Sequence, residues 1–405
     1  MKTWLNFDYF RCEPFELNFR FHVLGGFWPL ETKDKRKQIV FSIFSYVCYF
    51  SCTSIVVTQC LDLFLLRDNL IKLARHLVMI AISCAVVLKG YLLLFNIDHV
   101  NQLKDEMTLY KKTRTNPRDV DILEMSNQKI LTVVKTFYSL TVPCVLAWIA
   151  YPALDSSEEY ITPFPIVIPW QEWTPTIYVC MYIYQSLALF SYMLNVLSVD
   201  GIFCGFVMRI IAHYDIVIEK FRSLDELESF KNENCFYGYK SFRYRTDEEV
   251  VNAVIGDNIR LHRQIIHELN IFKRIYRNLS FVHFIAITTT IATVIFDAVI
   301  FFRGFGVETL QRILYMGIML WDTFLYCFCG SVLQEKSQEL ATAVYSTKWY
   351  LTRPKIRREL SFIIMKSQKA PKIYIGRFFA LEMSTFVSLL KISYDITALF
   401  YKMTH

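Results

Sequence analysis

Charge is scarce in this chain: only 20% of its 405 residues are Asp, Glu, Lys or Arg, against 54% apolar and 16% aromatic. That deficit excludes a disordered polyelectrolyte and argues for burial in lipid. Motifs for catalysis are missing as well. No Walker loop, GxGxxG or GxSxG occurs, so the chain signals neither a nucleotide cradle nor a nucleophile elbow, and neither an enzyme nor a cofactor is expected. No HExxH occurs, His262 and His267 stand off the spacing of three or four that aligns two ligands on a helix, and Cys327 and Cys329 lack a second pair nearby; no metal is expected. The 11 cysteines lie mostly inside apolar runs and read as packed thiols, not a disulfide framework. Residues 1–38 contain no apolar stretch followed by small residues, so no cleavable signal peptide is expected. The two halves of the chain show no internal repeat of the kind many transporters carry.

What the chain does contain is apolar runs of membrane length. Seven qualify, at about 39–61, 76–96, 130–151, 175–208, 278–302, 313–333 and 378–401. The basic residues orient them. With the fourth span taken to Tyr214 and the seventh from Arg377, the N-terminal segment holds 7 Lys and Arg, successive loops hold 3, 6, 0, 11, 2 and 9, and the C-terminal tail holds 1. The values alternate throughout. Since basic residues near span ends stay cytoplasmic, the expected fold is an all-α integral membrane protein with seven transmembrane helices, a cytoplasmic N-terminus and an extracellular C-terminus. A G-protein-coupled receptor would need the opposite orientation. The net charge of +7 is then explained by the anionic inner leaflet, without nucleic acid. Segment 152–173 has no basic residue and reads as an extracellular cover carrying Pro152, Pro163, Pro165, Pro169, Trp170 and Trp173.

Some helices are longer than a bilayer. The fourth continues without a break signal from Thr176 to Tyr214, about 58 Å at the helical rise. Gly201 and Gly205 allow close helix contact near its inner half. An amphipathic stretch, Glu248 to Ile275, leads into the fifth span, and the sixth runs on through Leu333 to Tyr350. Each extension carries an apolar stripe that a lone helix cannot bury, which predicts an intracellular anchor where subunits assemble. The expected organisation is a cytoplasmic segment 1–38, transmembrane helices in 39–213, an anchor loop 214–275, two further spans in 276–333, a second anchor segment 334–373, and the last helix in 374–405. Asp200, Asp297 and Asp322 are intramembrane acids, which a transporter could use as a relay. Asn278-Leu-Ser280 fits a glycosylation pattern but lies at the inner membrane edge.

From Ser337 onward the chain presents Ala343, Tyr345, Trp349, Tyr350, Arg357, Arg358, Leu360, Met365, Ser367, Gln368, Pro371, Phe378, Phe386 and Tyr394 in order over about 70 residues. This run closely resembles the C-terminal signature of insect odorant receptors, with Tyr345, Trp349, Arg358, Ser367 and Gln368 as its assembly motif. Two departures are visible: Pro371 falls one place late after Ser367 and Gln368, and Asp395 stands where a small or hydroxyl residue is usual. The Thr-Tyr and Gln-Phe ending of gustatory receptors is absent. The family's co-receptor is longer between spans four and five, so the chain resembles a ligand-tuning subunit.

The resemblance implies an odorant-binding subunit of a heteromeric, tetrameric ligand-gated cation channel in the plasma membrane of an olfactory sensory neuron dendrite, with the co-receptor, a small volatile and membrane lipid as partners. It also implies a pore lined by the last helix, with a gate that aligns with Leu399 and Met403. Positions 388, 392, 395, 399 and 403 share a helical face. Along it Ile392 and Asp395 join the expected pore residues, while Lys391 stands four before Asp395, where the two could pair or leave the carboxylate facing the pore. For the ligand, the outer halves of spans two to six offer Met79, Ser83, Trp148, Tyr178, Met181, Tyr182, Gln185, Met316 and Met319. Polarizable thioether and aromatic area with a few polar groups suits a small apolar molecule, and the lack of a basic residue there favours a neutral one. A transporter or a metabotropic receptor of unusual topology is the alternative.

Overall fold

The computed structural model describes residues 14–30, 32–65, 70–113, 116–154, 162–164, 174–229, 247–300 and 307–404. Among these residues the chain forms ten α-helices and one small hairpin: α1 Pro14–Leu24, α2 Lys35–Leu65, α3 Leu70–Phe95, α4 Ile97–Thr113, α5 Pro117–Leu154, α6 Pro175–Ser229, α7 Asp247–Ile300, α8 Val307–Ser346, α9 Pro354–Gln368, β1 Tyr374–Ile375, β2 Phe379–Ala380 and α10 Met383–Thr404. A proline opens α5, α6 and α9 at the first helical position, where its missing N–H costs nothing. Side chains just before two of them complete the cap. The Asn116 Oδ1 accepts from Arg118 N at 3.1 Å, and Thr174 Oγ1 accepts from Ile177 N at 3.3 Å.

Helix α6 is the axis of the bundle. It is 55 residues long and largely buried from Tyr192 to Phe221, where other helices surround it, while nearer its start Val179, Ile183, Leu187 and Phe190 are exposed. Phe203 stacks on Tyr326 of α8 with ring centroids 3.9 Å apart and meets Tyr276 of α7 edge-on at 5.1 Å. The continuous core then follows α6, α7 and α8 from the apolar zone down to α9, through Phe221, Ile265, Leu340, Leu360 and Ile363. Ion pairs line this lower end: Arg222–Glu339 at 2.8 Å, Lys336–Asp215 at 2.9 Å and Arg263–Glu359 at 2.7 Å.

By length and composition four helices qualify as membrane spans, within Lys35–Leu63, Pro117–Ala150, Pro175–Ser223 and Ile313–Ser346, and the pair Met79–Phe95 and Ile97–Thr113, bent by 68°, is a candidate fifth. The sequence predicts seven. The other two of the seven expected runs lie on α7 and α10, and each includes positions, 296–300 and 400–401, whose side chains lie outside the described residues. A polar contact joins these two helices inside the protein, since Thr397 Oγ1 donates to the Ala292 carbonyl at 3.0 Å.

Two elements depart from expectation. Helix α1, inside the segment expected to be a plain cytoplasmic lead, is packed into the core through Asn18, Phe19 and His22. A glycine turn ends it: Gly26, at φ 79°, lets Phe27 N reach the His22 carbonyl at 3.0 Å. Its Asn18 occupies the space that Gly201 opens on α6, where a Cβ would sit 2.5 Å from Asn18 Oδ1. The last helix starts at Met383, not at Arg377 or Phe378. The intervening residues form an antiparallel hairpin pairing Tyr374 with Ala380 and Ile375 with Phe379. Gly376, at φ 60°, makes that turn and donates to the Arg277 carbonyl of α7 at 3.0 Å.

Candidate ligand site and pore helix

Two expected ligand residues, Trp148 and Gln185, bond one short stretch, Thr162–Phe164, and a third, Tyr182, ties the helices on either side of it. Trp148 of α5 donates from Nε1 to the Pro163 carbonyl at 3.1 Å, and the Phe164 N–H donates to Gln185 Oε1 of α6 at 2.8 Å. Tyr182, one turn before Gln185, donates to the Ile149 carbonyl of α5 at 2.5 Å. These bonds pin the stretch across the ends of α5 and α6. The rest of segment 152–173 beyond the end of α5, with Pro165, Pro169, Trp170 and Trp173, lies outside the described residues.

Under that stretch is a cluster of aromatic and small apolar side chains. Phe164 meets Tyr192 of α6 edge-on at 5.8 Å, beside Phe27, Cys52, Ile55, Val86 and Val87. Its walls are tyrosines whose hydroxyls reach backbone carbonyls: Tyr192 to Cys52 at 2.7 Å, Tyr184 to Ser51 at 3.2 Å and Tyr49 to Phe27 at 3.3 Å. Tyr184 also bonds the Ser54 hydroxyl. Tethered rings of this kind give a rigid, polarizable wall at little entropic cost. Sequence reasoning missed Tyr49, Tyr184, Tyr192 and all of α2. The i, i+8 placement of Tyr184 and Tyr192, on one face with Ala188, was the available signal.

The other expected residues are more scattered. Ser83 is fully buried on α3, Met79 and Met181 are half-buried, and Tyr178 leans on Tyr182 with ring centroids 6.0 Å apart. Trp148 meets Tyr315 of α8 edge-on at 5.8 Å. Met316 and Met319, by contrast, pack against the main core.

On α10, Thr385, Leu389, Ser393 and Thr397 turn inward at four-residue spacing. The opposite side carries exposed Lys391, Asp395 and Leu399, with Leu399 59% exposed. Among the described residues no ion pair joins Lys391 to Asp395. Ile392 edges a groove of about 240 Å³ between α7, the hairpin and α10, together with Phe281, Phe284 and Leu389. The side chain of Met403, like that of Asp297, lies outside the described residues.

In the expected assembly motif, Ser367 is buried, and its carbonyl accepts from Ser337 Oγ of α8 at 3.2 Å while its hydroxyl lies 3.5 Å from His262 Nε2 of α7. It ties α9 to both neighbours. Trp349 packs on the core, whereas Tyr345, Arg358 and Gln368 are exposed on the single subunit.

A bundle of long apolar helices around a tethered aromatic cluster, closed by a pinned connecting segment, defines a multi-pass helical membrane receptor. The 7tm Odorant receptor family model matches residues 69–394, and the chain belongs to that family: it is an odorant receptor, a protein of olfactory detection and not an enzyme. It is 21% identical to Odorant receptor 2a of Drosophila melanogaster over 96% of this chain and 98% of that one, and 21% identical to Odorant receptor 47b of the same species over 82% and 78%. Against Odorant receptor 82a, also of that species, it spans about half the relative's length, 56%. It is also 23% identical to the odorant receptor coreceptor of Aedes albopictus, over 42% of this chain and 36% of that one. The solved olfactory receptor OR5 of Machilis hrabei in complex with eugenol shares the fold, with a TM-score of 0.81 and 15% identity over 98% of this chain and 100% of that one.

Proposed function

We propose that this receptor is the odorant-binding subunit of a heteromeric ligand-gated, non-selective cation channel that responds to a small neutral volatile. The observation that carries the reading is the clamp in which Trp148 and Gln185 hold Pro163 and Phe164 over the tyrosine-walled cluster while Tyr182 ties α6 to α5. Such a site buries an apolar ligand and offers a few oriented polar groups. None of the nine expected ligand residues carries a charge, which suits a neutral molecule. That the related OR5 structure holds eugenol agrees with a ligand of this size class.

In this reading the chain crosses the plasma membrane of the sensory neuron dendrite seven times, N-terminus inside. The joined lower ends of α6, α7, α8 and α9 are its cytoplasmic anchor, and it assembles there as a tetramer with the co-receptor. Helix α10 lines the shared pore, with Leu399 and Met403 as the apolar gate and Lys391, Ile392 and Asp395 further in. Odorant favours the open pore by binding that state better. The test is current recording on odour application, with and without a co-receptor. Fast currents that need the co-receptor and no added G protein are expected; a response carried only by second messengers would overturn the channel reading in favour of a metabotropic one.

A further inference from the structure

At mid-bundle, five polar side chains from four helices come together away from the ligand clamp. Lys89 of α3 donates to both carboxylate oxygens of Asp200 on α6, at 2.9 and 3.1 Å, and the Tyr326 hydroxyl of α8 donates to Oδ1 at 2.6 Å. The charge of Asp200 is therefore answered. Asp322, one turn before Tyr326, is not answered in the same way: it is buried and faces His283 Nε2 of α7 at 3.5 Å. That nitrogen is itself buried with no hydrogen-bond partner. The imidazole is held in place by stacking on Tyr326, with centroids 4.4 Å apart, and Tyr326 is stacked in turn on Phe203.

We propose that Asp200, Asp322 and His283 form a binding site for one monovalent cation of sodium's size. Charge selects the valence. Lys89 and Asp200 cancel, so with a neutral imidazole and Asp322 ionised the cluster holds one negative charge, a state costly at this depth unless a cation answers it. A single positive charge makes the cluster neutral, while a divalent ion would leave an excess beside Lys89. Geometry selects the size. One donor atom from each of the three residues lies within 4.8 Å of the others, so some point is no further than about 2.8 Å from all three. Calcium, close to sodium in radius, takes oxygen ligands at about 2.3–2.6 Å, whereas zinc draws its ligands in to about 2.0–2.2 Å. The donors are mainly hard oxygens. A cavity of about 10 Å³ lined by Asp200, Asp322, Gly201 and Tyr138 is the size of one water, which would complete the ion's shell from the α5 side. The bound ion would lock α6, α7 and α8 together, with Lys89 adding α3.

Thermal unfolding of the full-length receptor in detergent tests this. Sodium chloride is titrated against choline chloride at equal ionic strength, with parallel arms in calcium, in zinc and across pH. A saturable rise of the midpoint by a few degrees in sodium, absent in choline, is expected. The near-isosteric variant Asp322→Asn should lose that rise. If the variant fails to fold, the wild-type curves alone decide, and identical midpoints in sodium and choline overturn the site. A full sodium response in Asp322→Asn places the ion elsewhere and overturns it as well. Stabilisation by zinc or calcium but not sodium defeats the charge argument, and a midpoint that follows pH alone makes the occupant a proton.

Discussion

At the scale of single residues, two positions turn burial into measurable stability. His262 sits at the seam of α7, α8 and α9, with burial pushing its imidazole down from 6.5 to about 4. The unfolded chain accepts a proton near pH 6.5 that the folded chain refuses until near pH 4, so the stability tied to this histidine is complete above 6.5 and is lost as pH falls toward 4. The loss amounts to about 1.4 kcal/mol per pH unit. Unfolding midpoints of wild type and His262→Gln between about pH 7 and about pH 5 check this; the variant should lose less on acidification, and parallel curves would remove His262 as the source. Gly330 of α8 is the second position. A Cβ there would lie 2.1 Å from the Leu381 carbonyl oxygen, which backbone cannot yield cheaply, whereas the same atom added at Gly317 on the same helix meets nothing within 4 Å. Gly330→Ala should therefore cost about 3 kcal/mol or more and reduce surface receptor, while Gly317→Ala is neutral or gains up to about 1 kcal/mol. Melting curves and surface labelling of the pair give the comparison.

At the scale of elements, the connection between α5 and α6 and the hairpin before α10 matter most. Gln185→Met keeps the volume of the side chain but strips the acceptor from the Phe164 amide, leaving a buried N–H unpaired at a cost of about 1–3 kcal/mol. Trp148→Phe removes the donor to Pro163 in the same way. Each should raise the half-maximal odorant concentration by about tenfold or more while surface receptor stays near wild type. Dose-response recordings that superimpose on wild type would detach the clamp from the ligand site. The hairpin is bonded to α7 at Arg277, and the first residue of α10, Met383, donates its N–H to Ser331 Oγ of α8 at 3.0 Å; together they set where α10 begins and which of its sides turns inward.

At the scale of the whole molecule, a single subunit leaves much of its apolar surface open. Phe378 is 73% exposed, and Tyr345, Val387 and Tyr394 are similarly bare on the α8 end, the hairpin and α10. Lipid or neighbouring subunits must cover such surface, and a tetramer around α10 would cover it in the proposed channel. The proposed topology has its own check: glycosylation tags at the two ends should be modified at the C-terminus only, and modification at the N-terminus would reverse the orientation.

The sequence alone determined the long helices and the apolar stripes on their extensions, because these depend on composition and on spacing within one segment, and its basic residues carry the pattern on which the proposed orientation rests. It also carried the family signature, in 70 contiguous residues. For the proposed ligand site it offered Trp148, Tyr182 and Gln185, whose chemistry stands out one residue at a time. Only the tertiary structure decided what they hold, since Phe164 and the tyrosine walls come from α2, α3, α6 and a connecting segment. The same reason hid α1, whose apolar residues look unremarkable until Asn18 is seated against Gly201. It hid the trio of Asp200, His283 and Asp322 as well: these lie on three helices, 83 and 39 residues apart in the chain, and no spacing rule joins groups that only packing brings within 4.8 Å.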